Sequence, residues 1–245
     1  MNADEYTKMF HLEDNYWWFV GRRRLALDLL GRFLPPVNGR PWVLDLGCGT
    51  GVVLRELRAW AEPVGLDMSL LALGFCEQRG LSRLVQGDGA KLPFATASVD
   101  AVIGLDIFEH IEDDAAALRE AMRVLRPGGV LVLSVPAFQA LWGPHDVALM
   151  HFRRYTRPEL RERLEQAGFE VRRVGYSVFF LFPLVVVWRL FEKRKKGPAK
   201  ASLVAVPKWL NSMLIWLQNV EAALVRRVDL PIGSSVVAVA RKPAS

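Results

Sequence analysis

The sequence predicts an α/β fold, a mostly parallel sheet with helices on both faces. Two observations predict it. Short apolar runs alternate with helical patterns over the first 175 residues, and most of the runs end in Gly or Asp, where a buried strand hands over to a loop. The composition agrees: 51% hydrophobic residues supply a core, and 24% charged residues are ordinary for a folded domain.

The elements follow in order. Residues 1–35 read as an N-terminal helical cap that includes DNYWWFVGRRR (14–24). PWVLDLG (41–47), PVGLD (63–67), LVQGD (84–88), VDAVIGLD (99–106) and GVLVLSVP (129–136) read as strands. GVVLRELRAW (51–60), SLLALGFCEQRG (69–80) and DAAALREAMRVL (114–125) have apolar residues three and four apart, so they read as helices. RPGG (126–129) is a helix stop and turn. Thr156 is the expected N-cap of a helix that ends at Gly168 and leads into a further strand.

These elements make a core over 36–175. From 176 to 231 the pattern changes to two apolar helical stretches, read as a hairpin inserted before the last strand, which lies within 232–245. The uncharged run 174–188 is 15 residues, short of the roughly 20 that cross a bilayer. The hairpin region is also basic: nine Lys/Arg (Arg189, Lys193, Arg194, Lys195, Lys196, Lys200, Lys208, Arg226, Arg227) face three acids (Glu192, Glu221, Asp229). That difference of +6 equals the excess of the whole chain. Cations beside Trp209, Trp216 and aliphatic runs suit an anionic lipid surface better than a nucleic acid, so no nucleic-acid partner is expected. Two cysteines, Cys48 and Cys76, cannot build a disulfide framework, and MNADEYTKMFHLEDNYWWF does not read as a signal peptide. The expected location is the cytoplasm, including the inner face of its membrane.

VLDLGCGTG (43–51) carries the chemistry. A buried strand ends at Asp45, and Gly47, Gly49 and Gly51 follow at alternate positions, letting the backbone turn sharply and approach a ligand closely. Val52 stands where the dinucleotide fingerprint needs its third glycine, which argues against NAD or FAD.

On these residues the chain resembles the class I S-adenosylmethionine-dependent methyltransferases from about residue 40 to 175. The resemblance implies a Rossmann-like, seven-stranded, mostly parallel sheet. It also implies S-adenosyl-L-methionine as cofactor, with S-adenosyl-L-homocysteine as product. Asp45, Gly47, Cys48, Gly49 and Gly51 would bed its methionyl part. Asp67 and Met68 in VGLDMS would meet the ribose, and Asp88 and Gly89 in QGDGAKLPF the adenine. Trp18 and Arg22 would close over it from the N-terminal segment, Arg22 facing its carboxylate, and Asp106 would lie beside the methyl group.

The acceptor's proton needs a base when the nucleophile is an oxygen or an acidic carbon. WGPHDVALMHFRRYTRPEL (142–160) should overhang the crevice after strand five, so His145, His151 and Tyr155 are candidates, with Asp146 and Arg154 available to shape the pocket. GLDIFEH (104–110) adds Glu109 and His110 and stays open to three readings. Asp106 and Glu109 form a helix-capping pair; His110 accepts a proton; or Asp106, Glu109 and His110 hold a divalent metal, as a similar E-x-x-E-H does in ubiquinone O-methyltransferases and small-RNA 2′-O-methyltransferases.

The expected reaction is O- or C-methylation of a small molecule, either apolar or lipid-linked. Two alternatives stay open: a soluble secondary-metabolite methyltransferase whose hairpin is a lid or homodimer element, and a non-catalytic, cofactor-binding partner subunit.

Overall fold

The computed structural model describes residues 3–194 and 206–244. Lys195, Lys196 and Lys200 of the basic cluster therefore lie outside the described residues. Two N-terminal helices, α1 (Ala3–Leu12) and α2 (Trp17–Phe33), precede strand β1 (Trp42–Leu46). Then come α3 (Val52–Leu57), β2 (Glu62–Asp67), α4 (Leu70–Gln78), β3 (Leu84–Gln86) and β4 (Val99–Leu105). Next are α5 (Asp114–Val124), β5 (Leu125–Pro136), the short α6 (Pro144–Ala148), α7 (Arg157–Gln166) and β6 (Glu170–Ser177). The apolar stretches form α8 (Phe182–Arg194) and α9 (Lys208–Val225), and β7 (Ser235–Arg241) follows.

The sheet has seven strands in the order β3-β2-β1-β4-β5-β7-β6, parallel from β3 through β5, with β7 antiparallel to both its neighbours. Alternation of side chains along each strand fills both faces. Leu44, Leu46, Val102, Leu131 and Leu133 join one core with Leu118 and Leu164. Val43, Ala101, Ile103, Val130 and Val132 join the other with Leu29, Leu30 and Leu57. Each such leucine or isoleucine contributes about 1.5–3 kcal/mol by leaving water.

Local chemistry sets the helix starts. Ser69 accepts from Ala72 N, Asp113 from Ala116 N at 2.8 Å, and Thr156 and Glu159 form a reciprocal capping box. Two expectations need correction. RPGG does stop α5 at Val124, but it is a bulge within β5 rather than a turn before it. The register jumps there from Val99↔Leu125 to Ala101↔Val130, and Arg126 reaches back to Asp100 at 2.7 Å. Among the described residues the second apolar helix also packs elsewhere than along the first: α9 lies along α2, and Asn211 accepts from Trp17 N at the start of α2 at 2.9 Å. α8 instead leans on the segment after β5, with Phe182 against Phe138.

β1 and β4 are neighbours whose following strands run to opposite sides of the sheet, so the crevice for a ligand opens at their carboxyl ends.

Candidate active site

The loop after β1 ends in three left-handed glycines, Gly47, Gly49 and Gly51, with φ of 70°, 53° and 88°. A side chain at Gly47 would strike Ile107, so the close approach of backbone to the β4 end requires glycine there. Gly49 N donates to Asp67 Oδ2 at 3.0 Å, which ties the loop to the end of β2. Asp67 Oδ1 accepts from Ser69 N at 2.9 Å and from the Tyr6 hydroxyl at 3.4 Å. Burial pushes its carboxyl above the usual range.

Asp45 is buried at the same crevice, and its Oδ2 has no hydrogen-bond partner among the described residues. Burial, with the charges of Asp67 and Glu13, raises its pKa to about 8. An orphaned buried acceptor between glycine amides and a second acid is what a cationic, hydroxyl-bearing ligand would satisfy. These residues fit S-adenosylmethionine, and Asp45, Gly49 and Asp67 are the ones that would hold it.

The other expected cofactor residues divide. Asp88 is exposed at a tight turn, accepting from Ala90 N at 2.9 Å, and Gly89 is buried under Ile111. The Met68 side chain is exposed, and its carbonyl accepts from Gln86. Cys48 offers the crevice only backbone, because its side chain packs in a small core with Leu54, Leu73 and Cys76. Trp18 and Arg22 line a narrow pocket with Ser134, Ser177, Gln218 and Glu221. Arg22 does reach the crevice, but it is ion-paired with Asp106.

That pair settles one reading of GLDIFEH. Asp106 takes φ 53°, donates its amide to Ser134 O at 2.9 Å, and accepts the Ser134 hydroxyl at 3.0 Å as well as Arg22. Its carboxylate is thus used up at the strand end, and the single helical turn Phe108–His110 has no side-chain cap. The capping pair is not formed.

Glu109 points the other way. It is 0% exposed, and among the described residues its carboxyl has no hydrogen-bond partner beyond its own backbone amide. Burial and the Asp106 charge raise its pKa well above the usual carboxyl value. His110 and His151 meet edge to face with ring centroids 4.6 Å apart, and His145 lies 6.4 Å from His151. Behind them, Asp146 is fully buried: it accepts His151 Nδ1 at 3.0 Å, Arg154 Nε at 2.8 Å and Arg154 Nη2 at 3.0 Å. Burial opposes its charge, but these bonds hold its carboxyl far below the usual range.

Four of the five proton-transfer candidates thus come together, and Tyr155 does not join them in function. Its ring is in the core and its hydroxyl donates to Asp114 at 2.7 Å, where burial and the Asp114 charge push its pKa well up. Burial drives His110 and His145 the other way, to about 3. Both stay neutral near pH 7 and are weak bases. Of the four, His151 is the one whose ring a buried carboxylate orients, through Asp146.

The metal reading changes its members. Asp106 is withdrawn to Arg22, while donor atoms of Glu109, His110 and His151 lie within 4.8 Å of one another. A carboxylate and two imidazoles, one oriented by Asp146, fit a divalent transition ion; Asp106 does not belong to the set.

Sequence reasoning missed Tyr6, Met9 and Arg79. No motif marks them: Tyr6 and Met9 reach Asp67 and Gly49 through the packing of α1, and Arg79 bonds the Thr50 carbonyl from just past the end of α4. The support of His151 by Asp146 was open to notice, since both stand in HDVALMH.

Comparison with known proteins finds similar sequences and folds. A methyltransferase-domain family matches residues 44–133, the stretch from the glycine loop to β5. A Mycolicibacterium smegmatis protein named "probable S-adenosylmethionine-dependent methyltransferase" is 36% identical over 166 residues, 65% of this chain and 61% of that one. A Corynebacterium kroppenstedtii demethylmenaquinone methyltransferase is 39% identical over 136 residues, covering 53% of this chain and 55% of its own. The chain thus spans less than two thirds of the curated relatives it matches. A solved Thermotoga maritima methyltransferase shares the fold, with a TM-score of 0.62 at 19% identity over 98% of this chain and 95% of that one. Glycine loop, strand order and relatives agree: residues 44–133 match a methyltransferase domain, and the chain is similar to S-adenosylmethionine-dependent methyltransferases in sequence and in fold.

Proposed function

We propose that the protein transfers a methyl group from S-adenosylmethionine to an oxygen or acidic carbon of an apolar or lipid-linked small molecule, at the inner face of the cytoplasmic membrane. The observation that carries the chemistry is the placement, at one sheet edge, of the Asp45–Asp67 cradle and the Glu109–His151 group. Bound cofactor supplies an electrophilic methyl on a sulfonium. The protein's own work is then alignment, exclusion of water and acceptance of the acceptor's proton. Alignment alone is worth about 7–11 kcal/mol. Arg22 and Ser134 fix Asp106 at the strand end, and Asp146 orients the His151 ring, leaving its second nitrogen to receive a proton.

The substrate class rests on α8 and α9. Trp209, Met213, Trp216, Val220 and Leu224 form an exposed stripe along α9, opposite the buried Leu214, Gln218, Glu221 and Val225. Trp209 and Trp216 are 70% and 63% exposed. Leu184, Val187, Leu190 and Phe191 add exposed apolar surface on α8. No helix among the described residues is long and apolar enough to cross a membrane, so the stripe would lie in an interface rather than span it.

Two measurements test this reading. The protein should co-sediment with anionic phosphatidylglycerol vesicles at low salt and be released by high salt. It should also place labelled methyl from S-adenosylmethionine into the organic phase of a bacterial lipid extract. Label confined to water-soluble metabolites, with no vesicle binding, would instead favour a soluble enzyme whose α8 and α9 serve as a lid.

A further inference from the structure

Helix α1 takes up the surface that the glycine loop leaves open. The Tyr6 hydroxyl donates to Asp67 Oδ1 at 3.4 Å, a bond of the kind a ribose hydroxyl would make. The Met9 methyl sits so close to Gly49 that a Cβ there would be 2.5 Å from it. Phe10 stacks on Phe75 of α4, with centroids 4.6 Å apart. Arg79, just past the end of α4, fastens the arrangement. It bonds Glu13 at 2.7 Å, Asp14 at 3.1 Å, the Phe10 carbonyl at 3.3 Å and the Thr50 carbonyl at 2.8 Å, and it lies over the Phe10 ring. Glu13 also accepts the Thr50 hydroxyl, joining the end of α1 to the glycine loop itself.

Such contacts differ from those of a lid resting above a filled cleft. A lid would leave Asp67 and Gly49 free for the ligand and touch it from outside. Here side chains of α1 are on the two groups the cofactor needs. We propose that α1 is a self-blocking gate: Tyr6 and Met9 occupy the cofactor's place at Asp67 and Gly49, the Arg79 cluster latches them there, and the cofactor enters only when α1 is displaced. The proposal rests on the assignment of this cleft to S-adenosylmethionine but not on the substrate or on methyl transfer.

Population arithmetic gives the consequence. When only a fraction of molecules has α1 displaced, the apparent dissociation constant is the intrinsic one divided by that fraction. Weakening the latch raises the fraction and tightens binding. Tyr6→Phe keeps the ring and removes only the bond to Asp67, so it should tighten S-adenosylhomocysteine binding about two- to tenfold. Arg79→Ala removes several bonds at once and should tighten it further.

The test is titration calorimetry of the full chain with S-adenosylhomocysteine, paired with amide hydrogen exchange of residues 3–12. The gate predicts tighter binding by Tyr6→Phe and faster exchange in α1 when ligand is added. Unchanged or weaker binding by Tyr6→Phe, or slower exchange in α1 on adding ligand, would overturn it and make α1 an ordinary cover. No binding by the wild type or either variant would remove the cofactor assignment and the gate with it. Failure of methyl transfer alone would leave both readouts standing.

Discussion

Asp45 shows a single buried residue whose charge costs stability. Its pKa of about 8 lies above the unfolded value of roughly 3.9, so the folded state binds the proton more tightly. Its contribution is therefore favourable below about pH 4 and is lost as pH rises toward 8. Asp45→Asn should raise the unfolding free energy at pH 8 by about 1–3 kcal/mol, with little gain at pH 4, while weakening S-adenosylhomocysteine binding. Urea unfolding at the two pH values reads the first part. His110 carries the opposite sign: its pKa of about 3 lies below the unfolded value of roughly 6.5. Stability is full above pH 6.5 and falls as pH drops toward 3. His110→Gln should remove up to about 1.4 kcal/mol per pH unit of that acid slope, measured by urea unfolding between pH 4 and 6.5.

Among the elements, the helix starts and the strand ends were legible because each is fixed by neighbouring residues. Ser69, Asp113 and Thr156 sit just before apolar periodic runs and cap them, and Gly47–Gly51 mark the turn after β1. GLDIFEH was not legible in the same way. Whether Asp106 caps, binds metal or pairs with a cation depends on Arg22, 84 residues away in sequence. The placement of α9 was hidden for the same reason. Its apolar face could meet α8 or the core, and it meets α2 because Gln218 fits over Gly21, where a side chain would collide with it. Gly21→Ala should displace the end of the Gln218 side chain and press on its Cβ, costing about 1–3 kcal/mol, seen as a lowered melting temperature. Loss of stability well under that range would show that Gln218 swings aside freely.

Over the whole molecule, a parallel sheet whose neighbouring β1 and β4 lead in opposite directions provides a crevice at their carboxyl ends. Among the described residues, Asp45 and Glu109 are both buried carboxyl groups with unpartnered oxygens, and both lie at carboxyl ends of adjacent strands. Fold class and cofactor loop could be read from the sequence because strand alternation and glycine spacing are local signals. The joining of Glu109 and His110 to His151 could not, because it depends on how the segment after β5 folds back over β4. The same segment meets α8 at Phe138, so α8 and the loop that carries His151 are packed as one. If a transition ion occupies Glu109, His110 and His151, dialysis against Co²⁺ should leave about one ion per chain, with a visible absorption band that is lost in Glu109→Gln.

The central claim is that Asp67 and the Gly47–Gly51 loop bind S-adenosylmethionine, and calorimetric titration with S-adenosylhomocysteine tests it most directly. The account predicts one site per chain in the wild type, with affinity reduced about tenfold or more in Asp67→Ala, as expected when a charged acceptor of hydrogen bonds is lost. Absence of binding in the folded wild type, or equal affinity in Asp67→Ala, would contradict it.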